Sequence, residues 1–174
     1  MEQVILVNPQ DEPIGVMEKM EAHKKGLLHR AFSIFIFNKK GEMLIQQRAF
    51  EKYHSGGLWT NTCCSHPQPG ETTAAAAARR LQQEMGFQTD LKKSFSFVYK
   101  TDFDNGLTEH EVDHVFIGEY EGAILPNPEE VCNYEYRSMN SIREAIQSTP
   151  QLFTSWFKIA FPALETYLTS ASFK

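Results

Sequence analysis

The sequence predicts an α+β fold in which a mixed β-sheet is sandwiched between helices. Short β-branched and aromatic runs are separated by clusters of Gly, Asn, Asp and Pro, a pattern that indicates strands joined by turns. A run of strong helix formers lies near the middle of the chain, and an apolar stripe at helical spacing lies near its end. Strands and helices do not alternate regularly, which disfavours a doubly wound parallel sheet.

The first third of the chain is expected to form two hairpins with a short helix between them. Val4 to Val7 is a β-branched run, and the turn formers that follow it favour a hairpin. Glu18 to Lys25 is predicted to be a polar helix that ends at Gly26. Ala31 to Phe37 and Met43 to Gln47 flank a turn that ends in glycine, which predicts the second hairpin.

A helix and two strands are expected next. Thr72 to Met85 is rich in alanine, has threonines suited to the N-cap and stops at Gly86, so it is predicted to be helical. Ser94 to Lys100 and Glu111 to Tyr120 are predicted strands. The loop between them contains Asn-Gly, a strong signal for a chain reversal.

The last part of the chain is expected to contribute one strand and two helices. Tyr134 to Arg137 is a short strand-like run that follows a proline-containing loop. Ser141 to Gln147 and Phe153 to Leu168 are predicted helices. Apolar residues recur at helical spacing in the second helix, so one of its faces is expected to be buried in the core.

Length, composition and charge limit the class of protein. At 174 residues, with 41% hydrophobic and 22% charged residues, the chain is expected to form a single domain, residues 1–174. A net charge of −5 opposes nucleic-acid binding, so an anionic ligand would need a local basic pocket. No apolar stretch approaches the roughly 20 residues that span a bilayer, so no interaction with a membrane is expected.

The number of cysteines and the N-terminal residues indicate the cellular compartment of the protein. The chain has three cysteines, two of them adjacent, which cannot form a complete disulfide framework. The acidic Glu2 and a short apolar run do not match a signal peptide. A cytoplasmic location is therefore expected.

Residues 59–71 are predicted to form a loop directly before the alanine-rich helix, and they hold the densest group of polar and reactive side chains. The N-terminus of a helix favours phosphate because its N–H groups are free and its dipole end is positive. By itself this signal is weak, and a histidine such as His66 is more often bonded to backbone. Cys64 is two residues from His66, so a nearby cation or the helix start is expected to lower its pKa and suit it to acid–base chemistry. The alternative is that Cys64 is a small buried hydrophobic residue.

Other candidate residues fall into a pattern that suits a metal ion. Glu109 and Glu111 are two apart on a predicted strand and should share one face, whereas His110 should face the other way. With His23, His29 and His66, these carboxylates would form a five-ligand site for Mg²⁺, Mn²⁺ or Zn²⁺. The alternative is that the two glutamates form a solvated strand edge. Trp156 is either a core residue or a ring that faces a cation.

Taken together, the motifs resemble those of type I isopentenyl-diphosphate isomerases. The resemblance rests on the run Thr60-Asn61-Thr62-Cys63-Cys64-Ser65-His66-Pro67, on Glu109-His110-Glu111, and on the two upstream histidines. It extends from about Val4 to Trp156. It implies the Nudix fold and the isomerisation of isopentenyl diphosphate to dimethylallyl diphosphate through a carbocation, a step in isoprenoid precursor biosynthesis.

The resemblance also implies a role for each matching residue. The tightly held metal, Mn²⁺, Mg²⁺ or Zn²⁺, would be bound by His23, His29, His66, Glu109 and Glu111. Cys64 and Glu111 would transfer protons, Tyr99 would bond Glu111 and Trp156 would face the carbocation. The diphosphate would be bound by Lys19, Arg48, Lys52 and Arg80, and Glu84 would bind a substrate-associated Mg²⁺. The implied partner is the small-molecule substrate, and the chain is expected to be a monomer or a weak homodimer.

Two rival functions remain open from the sequence. A Nudix pyrophosphohydrolase would use Glu71 and Glu84 to bind metals, but Arg80 and Gln83 replace two glutamates of the Nudix box, and Ser65 replaces its glycine. A non-catalytic Nudix-like module would bind metal or diphosphate without needing Cys64 or Tyr99.

Overall fold

The computed structural model describes residues 2–103 and 105–171 of the chain. Its strands are β1 (Gln3–Val7), β2 (Pro13–Glu18), β3 (His29–Phe37), β4 (Met43–Arg48), β5 (Trp59–Thr60), β6 (Cys63–Ser65), β7 (Lys92–Asp102), β8 (Thr108–Glu119) and β9 (Val131–Arg137). Its helices are α1 (Lys19–Lys25), α2 (Thr73–Met85), α3 (Met139–Ser148) and α4 (Ser155–Ala171), and a short 3-10 helix (Pro150–Leu152) precedes α4. No helix in these two ranges is long and apolar enough to cross a bilayer.

Strand β3 is the centre of a mixed sheet. It pairs in parallel with β8 over nine residues, from His29 opposite Glu111 to Phe37 opposite Glu119. It also pairs antiparallel with β1, β4 and β6. β7 extends the sheet beyond β8, and β9 pairs with β4. The parallel register matters for function because it fixes which side chains of β3 and β8 lie side by side.

The two larger apolar clusters among the described residues lie on opposite faces of this sheet, as the alternation of side chains along a strand requires. Phe32, Ile34 and Ile36 of β3 pack with α2, whose buried residues include Leu81 and Met85. On the other face, Phe35 packs with α3 and α4, including Ile142, Phe157 and Leu164. The predicted sandwich of a mixed sheet between helices is confirmed.

Most predicted elements are present with similar bounds, and their end signals work as expected. The Thr72 hydroxyl accepts a hydrogen bond from the Ala75 N–H and caps α2, and Gly86 ends this helix. Glu18 caps α1, and Gly26 ends it. These caps supply partners for backbone groups that a helix leaves free at its ends. The loop between β7 and β8 includes Asp104, which lies outside the described residues.

Three local predictions need correction. The second hairpin pairs β3 with β4 only at Phe37 and Met43, because β6 pairs with β3 and β9 pairs with β4. The predicted loop of residues 59–71 contains β5 and β6, which are too short to show a strand period in sequence. Phe153 belongs to the predicted final helix but lies before α4, where it bridges to Trp59.

Gly86 is expected to be required for stability at the junction between α2 and the loop around Leu125. Its φ is +74°, and an added Cβ would lie 2.1 Å from the Leu125 carbonyl oxygen. Gly41 is a matched control, since its φ is +77° but an added Cβ would meet nothing within 4 Å. We expect Gly41→Ala to lower the free energy of unfolding by about 1 kcal/mol, and Gly86→Ala by roughly 2–5 kcal/mol because a backbone clash adds to the strain. Urea unfolding measures both, and equal losses would contradict the proposed clash.

Candidate active site

The fold brings five of the predicted residues into one buried cluster. His23 lies on α1, His29 begins β3, His66 follows β6, and Glu109 and Glu111 share one face of β8. One candidate ligand atom from each of the five lies within 4.8 Å of the others. The pairing of β3 with β8 places His29 directly opposite Glu111. This cluster, called the His/Glu cluster below, could hold a metal ion.

The distances show a cluster with polar atoms that lack protein partners. Glu111 Oε2 is 2.7 Å from His66 Nε2 and 3.1 Å from His29 Nε2. Glu109 Oε2 is 3.5 Å from His23 Nε2 and makes no hydrogen bond. Both ring nitrogens of His23 are also buried without a hydrogen-bond partner. Since unpaired buried polar atoms are costly, these atoms fit a site that binds a cation.

Burial and mutual repulsion set the charges in the His/Glu cluster. Burial, with the charges of His66 and His29, lowers the pKa of His23 to about 3 and so keeps the imidazole neutral, the form that binds metals. Burial and the charge of Glu111 raise the pKa of Glu109 well above its usual value. Burial alone would also raise the pKa of Glu111, but hydrogen bonds with His29 and His66 outweigh it and lower that pKa. Two carboxylates this close resist a second negative charge unless a positive charge is added.

Each carboxylate is also held from outside the His/Glu cluster. The Tyr99 hydroxyl donates to Glu111 Oε1, as the resemblance implies. His54 Nε2 is 3.2 Å from Glu109 Oε1, a contact that the sequence did not predict. A single histidine in a loop has no spacing signal that would single it out. Only the folded structure shows that His54 lies beside Glu109, because the two residues are far apart in sequence.

Cys64 and Glu111 line the same cavity, together with Tyr99, His54 and Trp156. Cys64 lies on β6 opposite Ser33 of β3, so that its side chain faces the cavity. Cys63 is on the other side of this strand and is buried in the core with α2. Adjacent residues of a strand point to opposite sides, which explains why only one of the two cysteines faces the cavity.

The Cys64 thiol is fixed by polar neighbours. Its Sγ donates to Asn61 Oδ1 at 3.0 Å and lies 3.4 Å from Ser33 Oγ. The amide of Asn61 is oriented because its Nδ2 donates to the carbonyl oxygens of Ile34 and Cys63. The Ser33 hydroxyl donates to Asp113 Oδ2 at 2.7 Å. Sequence reasoning did not select Ser33 or Asp113, since neither belongs to a motif.

The expected lowering of the Cys64 pKa is wrong. Burial raises the pKa of this thiol, and the nearby Asp113 carboxyl raises it further. Hydrogen bonds with Ser33 and Asn61 act in the opposite direction but do not compensate. Cys64 is therefore a neutral thiol near pH 7.

The four predicted diphosphate-binding residues surround a second pocket, which borders Cys64 and His66. Its basic residues are Lys19, Arg48, Lys52 and Arg80. Three of them already pair with carboxylates: Lys19 with Glu2 at 2.8 Å, Lys52 with Glu130 at 2.5 Å, and Arg80 with Glu84 at 2.6 Å. Glu2 and Glu130 were not predicted. Arg48 also lies against Trp156, with its guanidinium carbon 5.1 Å from the ring centroid.

Comparison with known proteins agrees with this fold. The model of the NUDIX domain family matches residues 27–157. The crystal structure of DR0079 from Deinococcus radiodurans is similar with a TM-score of 0.71 and 19% identity, and the match covers 85% of this chain and 90% of that one. A MutT protein from Methanosarcina mazei has a TM-score of 0.66 and 17% identity, covering 80% and 94% of the two chains. These likenesses in structure show the fold alone, and that fold is the Nudix fold.

Closer relatives in sequence narrow the class. An isopentenyl-diphosphate Delta-isomerase of Pectobacterium atrosepticum is 52% identical over 165 residues, which are 95% of this chain and 92% of the relative. An isopentenyl-diphosphate Delta-isomerase of Aliivibrio fischeri is 41% identical, over 98% of this chain and 99% of the relative. The chain therefore belongs to the isopentenyl-diphosphate Delta-isomerase family of Nudix proteins.

The environments of the three cysteines predict an order of reactivity toward iodoacetamide. Cys132 is exposed, Cys64 is partly buried with a raised pKa, and Cys63 is fully buried. Because the thiolate is the reactive form, we expect Cys132 to be alkylated first, Cys64 more slowly and Cys63 only on unfolding. Peptide mass spectrometry at pH 7 over a time course measures the order. Faster labelling of Cys64 than of Cys132 would contradict the neutral thiol.

Proposed function

We propose that this protein isomerises isopentenyl diphosphate to dimethylallyl diphosphate. The observation that carries the proposal is the cavity that Cys64 and Glu111 share, next to a basic pocket. The relatives that are named isopentenyl-diphosphate Delta-isomerase, at about half identity over most of the chain, support the same reaction.

The reaction requires two proton transfers at different carbons. One proton is added to the terminal alkene carbon, which becomes a methyl group, and another is removed from the carbon next to the one that bears the diphosphate. The intermediate is a tertiary carbocation, which water would capture, so the alkenyl group must be shielded. Cys64 and Glu111 are the proposed proton-transfer pair, one acting as the acid and the other as the base, and the Tyr99 hydroxyl holds Glu111 in place. Trp156, which is buried at the cavity, presents an aromatic ring that would stabilise the positive charge.

The basic pocket is proposed to anchor the diphosphate. An incoming diphosphate would replace the carboxylates of Glu2 and Glu130 on Lys19 and Lys52, and Arg48 and Arg80 would complete the contacts. Glu84, which is buried beside Arg80, would bind a substrate-associated Mg²⁺. Contacts with the diphosphate are remote from the alkene, so their binding energy serves to position the reacting carbons.

The His/Glu cluster is proposed to bind Mn²⁺, Mg²⁺ or Zn²⁺ through His23, His29, His66, Glu109 and Glu111. A divalent cation there would offset the charge of two buried carboxylates and hold Glu111 at the cavity wall. The neutral imidazole of His23 and the unpaired Glu109 Oε2 support this assignment. As part of the same proposal, residues 1–174 form one domain that acts in the cytoplasm on a small molecule, as a monomer or weak homodimer.

The contacts of Glu71 favour the isomerase over a pyrophosphohydrolase. A hydrolase of this fold would need Glu71 free to bind a metal, but Arg79 donates two hydrogen bonds to Glu71, at 2.8 and 2.9 Å. Arg80 and Gln83 stand where the Nudix box has glutamates, so two carboxylates that a hydrolase would use are missing. A module that only binds metal or diphosphate would have no need for a thiol fixed at the cavity by Asn61 and Ser33.

Loss of either proposed proton-transfer group is expected to stop the reaction. We expect Cys64→Ala and Glu111→Gln each to lower kcat by about 10³-fold or more, since a positioned acid or base contributes factors of this order. Cys132→Ser is the matched control, because Cys132 is exposed and its thiol lies outside the cavity. Turnover is followed by NMR with isopentenyl diphosphate and Mg²⁺ in deuterated water.

The products distinguish the three functions. Deuterium in dimethylallyl diphosphate supports the isomerase, release of phosphate supports the hydrolase, and binding without either product supports the module. Near-normal turnover by Cys64→Ala would overturn the proposed role of the thiol.

A further inference from the structure

His54 lies at the point where the His/Glu cluster meets the cavity, and neither the motifs nor the proposed reaction uses it. The residue is only 7% exposed and lines the same cavity as Cys64 and Glu111. Its ring is packed on several sides by aromatic groups. Phe103 stacks on it at 4.5 Å between centroids, and Tyr53 and Trp156 meet it edge to face at 4.3 and 5.5 Å. The position of the imidazole is therefore fixed before any ligand binds.

The hydrogen bonds of His54 define its orientation. Nε2 is 3.2 Å from Glu109 Oε1, and Nδ1 is 3.2 Å from the Ser55 hydroxyl. A metal-bound Glu109 would be ionised, and a carboxylate oxygen only accepts, so in that state the ring proton would lie on Nε2 and Nδ1 would accept from Ser55. Ser55 itself has a φ of +55°, a left-handed conformation that is uncommon for serine. The loop is thus held in an unusual conformation that places His54 against Glu109.

The two carboxylates of the His/Glu cluster are held in the same way. Tyr99 donates to Glu111 Oε1 and leaves Oε2 facing His29 and His66. His54 Nε2 contacts Glu109 Oε1, and Oε2 faces His23 without a hydrogen bond of its own. In each case one oxygen is fixed by a group outside the cluster, and the other is presented to the imidazoles.

We infer that His54 is a positioning residue that fixes Glu109 to bind the metal ion through a single oxygen, Oε2. It also links the metal ligand to the aromatic wall formed by Phe103 and Trp156. The inference rests on the proposed metal-binding role of the His/Glu cluster, and it adds an outer residue that sets the geometry of one ligand. Removing a group that orients a metal ligand by a hydrogen bond commonly weakens the binding of the metal.

Metal affinity is the readout that tests this role. The free Mn²⁺ concentration is measured by electron paramagnetic resonance during titration of wild type, His54→Ala and His54→Gln. We expect His54→Ala to weaken Mn²⁺ binding by about 10- to 100-fold. His54→Gln keeps an N–H donor at the end of a side chain of similar reach, so it should bind Mn²⁺ more tightly than His54→Ala.

His114→Ala is the matched control. His114 is 5% exposed and its Nε2 is 2.8 Å from Asp11 Oδ2, so it is also a buried histidine bonded to a carboxylate, but away from the His/Glu cluster. The His114→Ala variant should bind Mn²⁺ with the affinity of wild type, even if the midpoint of its thermal unfolding falls. A loss of affinity in His54→Ala that is matched by His114→Ala would show a general effect of destabilisation and would overturn the inference.

Two further results would overturn it. One is unchanged Mn²⁺ affinity in a folded His54→Ala variant, and the other is a His54→Gln variant that binds no better than His54→Ala. The proposed reaction is tested separately on the same wild-type preparation. Mn²⁺ binding without turnover of isopentenyl diphosphate would reject the proposed isomerase while leaving the role of His54 standing.

Discussion

Glu109 and Glu111 lie side by side in a part of the protein that water barely reaches, each only 5% exposed. Burying two carboxylates at this separation is unfavourable unless a positive charge is shared between them. Three imidazoles surround the pair: those of His29 and His66 bond Glu111, whereas that of His23, the nearer one to Glu109 Oε2, is held neutral by burial. A bound cation would supply the positive charge that Glu109 lacks. This electrostatic constraint explains why atoms that would otherwise lack partners are tolerated inside the protein.

The sheet meets this constraint through the two pairings of one strand, β3, with β8 and with β6. The parallel register of β3 and β8 places His29 opposite Glu111, and the antiparallel register of β3 and β6 places Ser33 opposite Cys64. Both pairs lie on the face of the sheet that packs with α4, which contributes Trp156 to the cavity. One strand therefore sets the positions of the His/Glu cluster and of the thiol. A shift of one residue in either register would turn these side chains to the opposite face.

The sequence predicted the residues that belong to motifs, and the structure adds those that depend on register. Glu109 and Glu111 could be placed on one face because strand side chains alternate, and α2 could be bounded because Thr72 and Gly86 are strong end signals. His54, Ser33 and Asp113 could not be selected, since their contacts join segments far apart in sequence. The pKa of Cys64 was predicted in the wrong direction for a related reason: the sequence showed a neighbouring histidine but not the burial.

The proposed active site depends most on one divalent cation, which three imidazoles and two carboxylates would hold beside the thiol. X-ray absorption at the zinc edge of protein loaded with one equivalent of Zn²⁺ counts these ligands directly. We expect scattering from three imidazole rings, and a first shell of nitrogen and oxygen at about 2.0–2.2 Å. A spectrum without imidazole scattering, or with a Cys64 sulfur at about 2.3 Å, would contradict it.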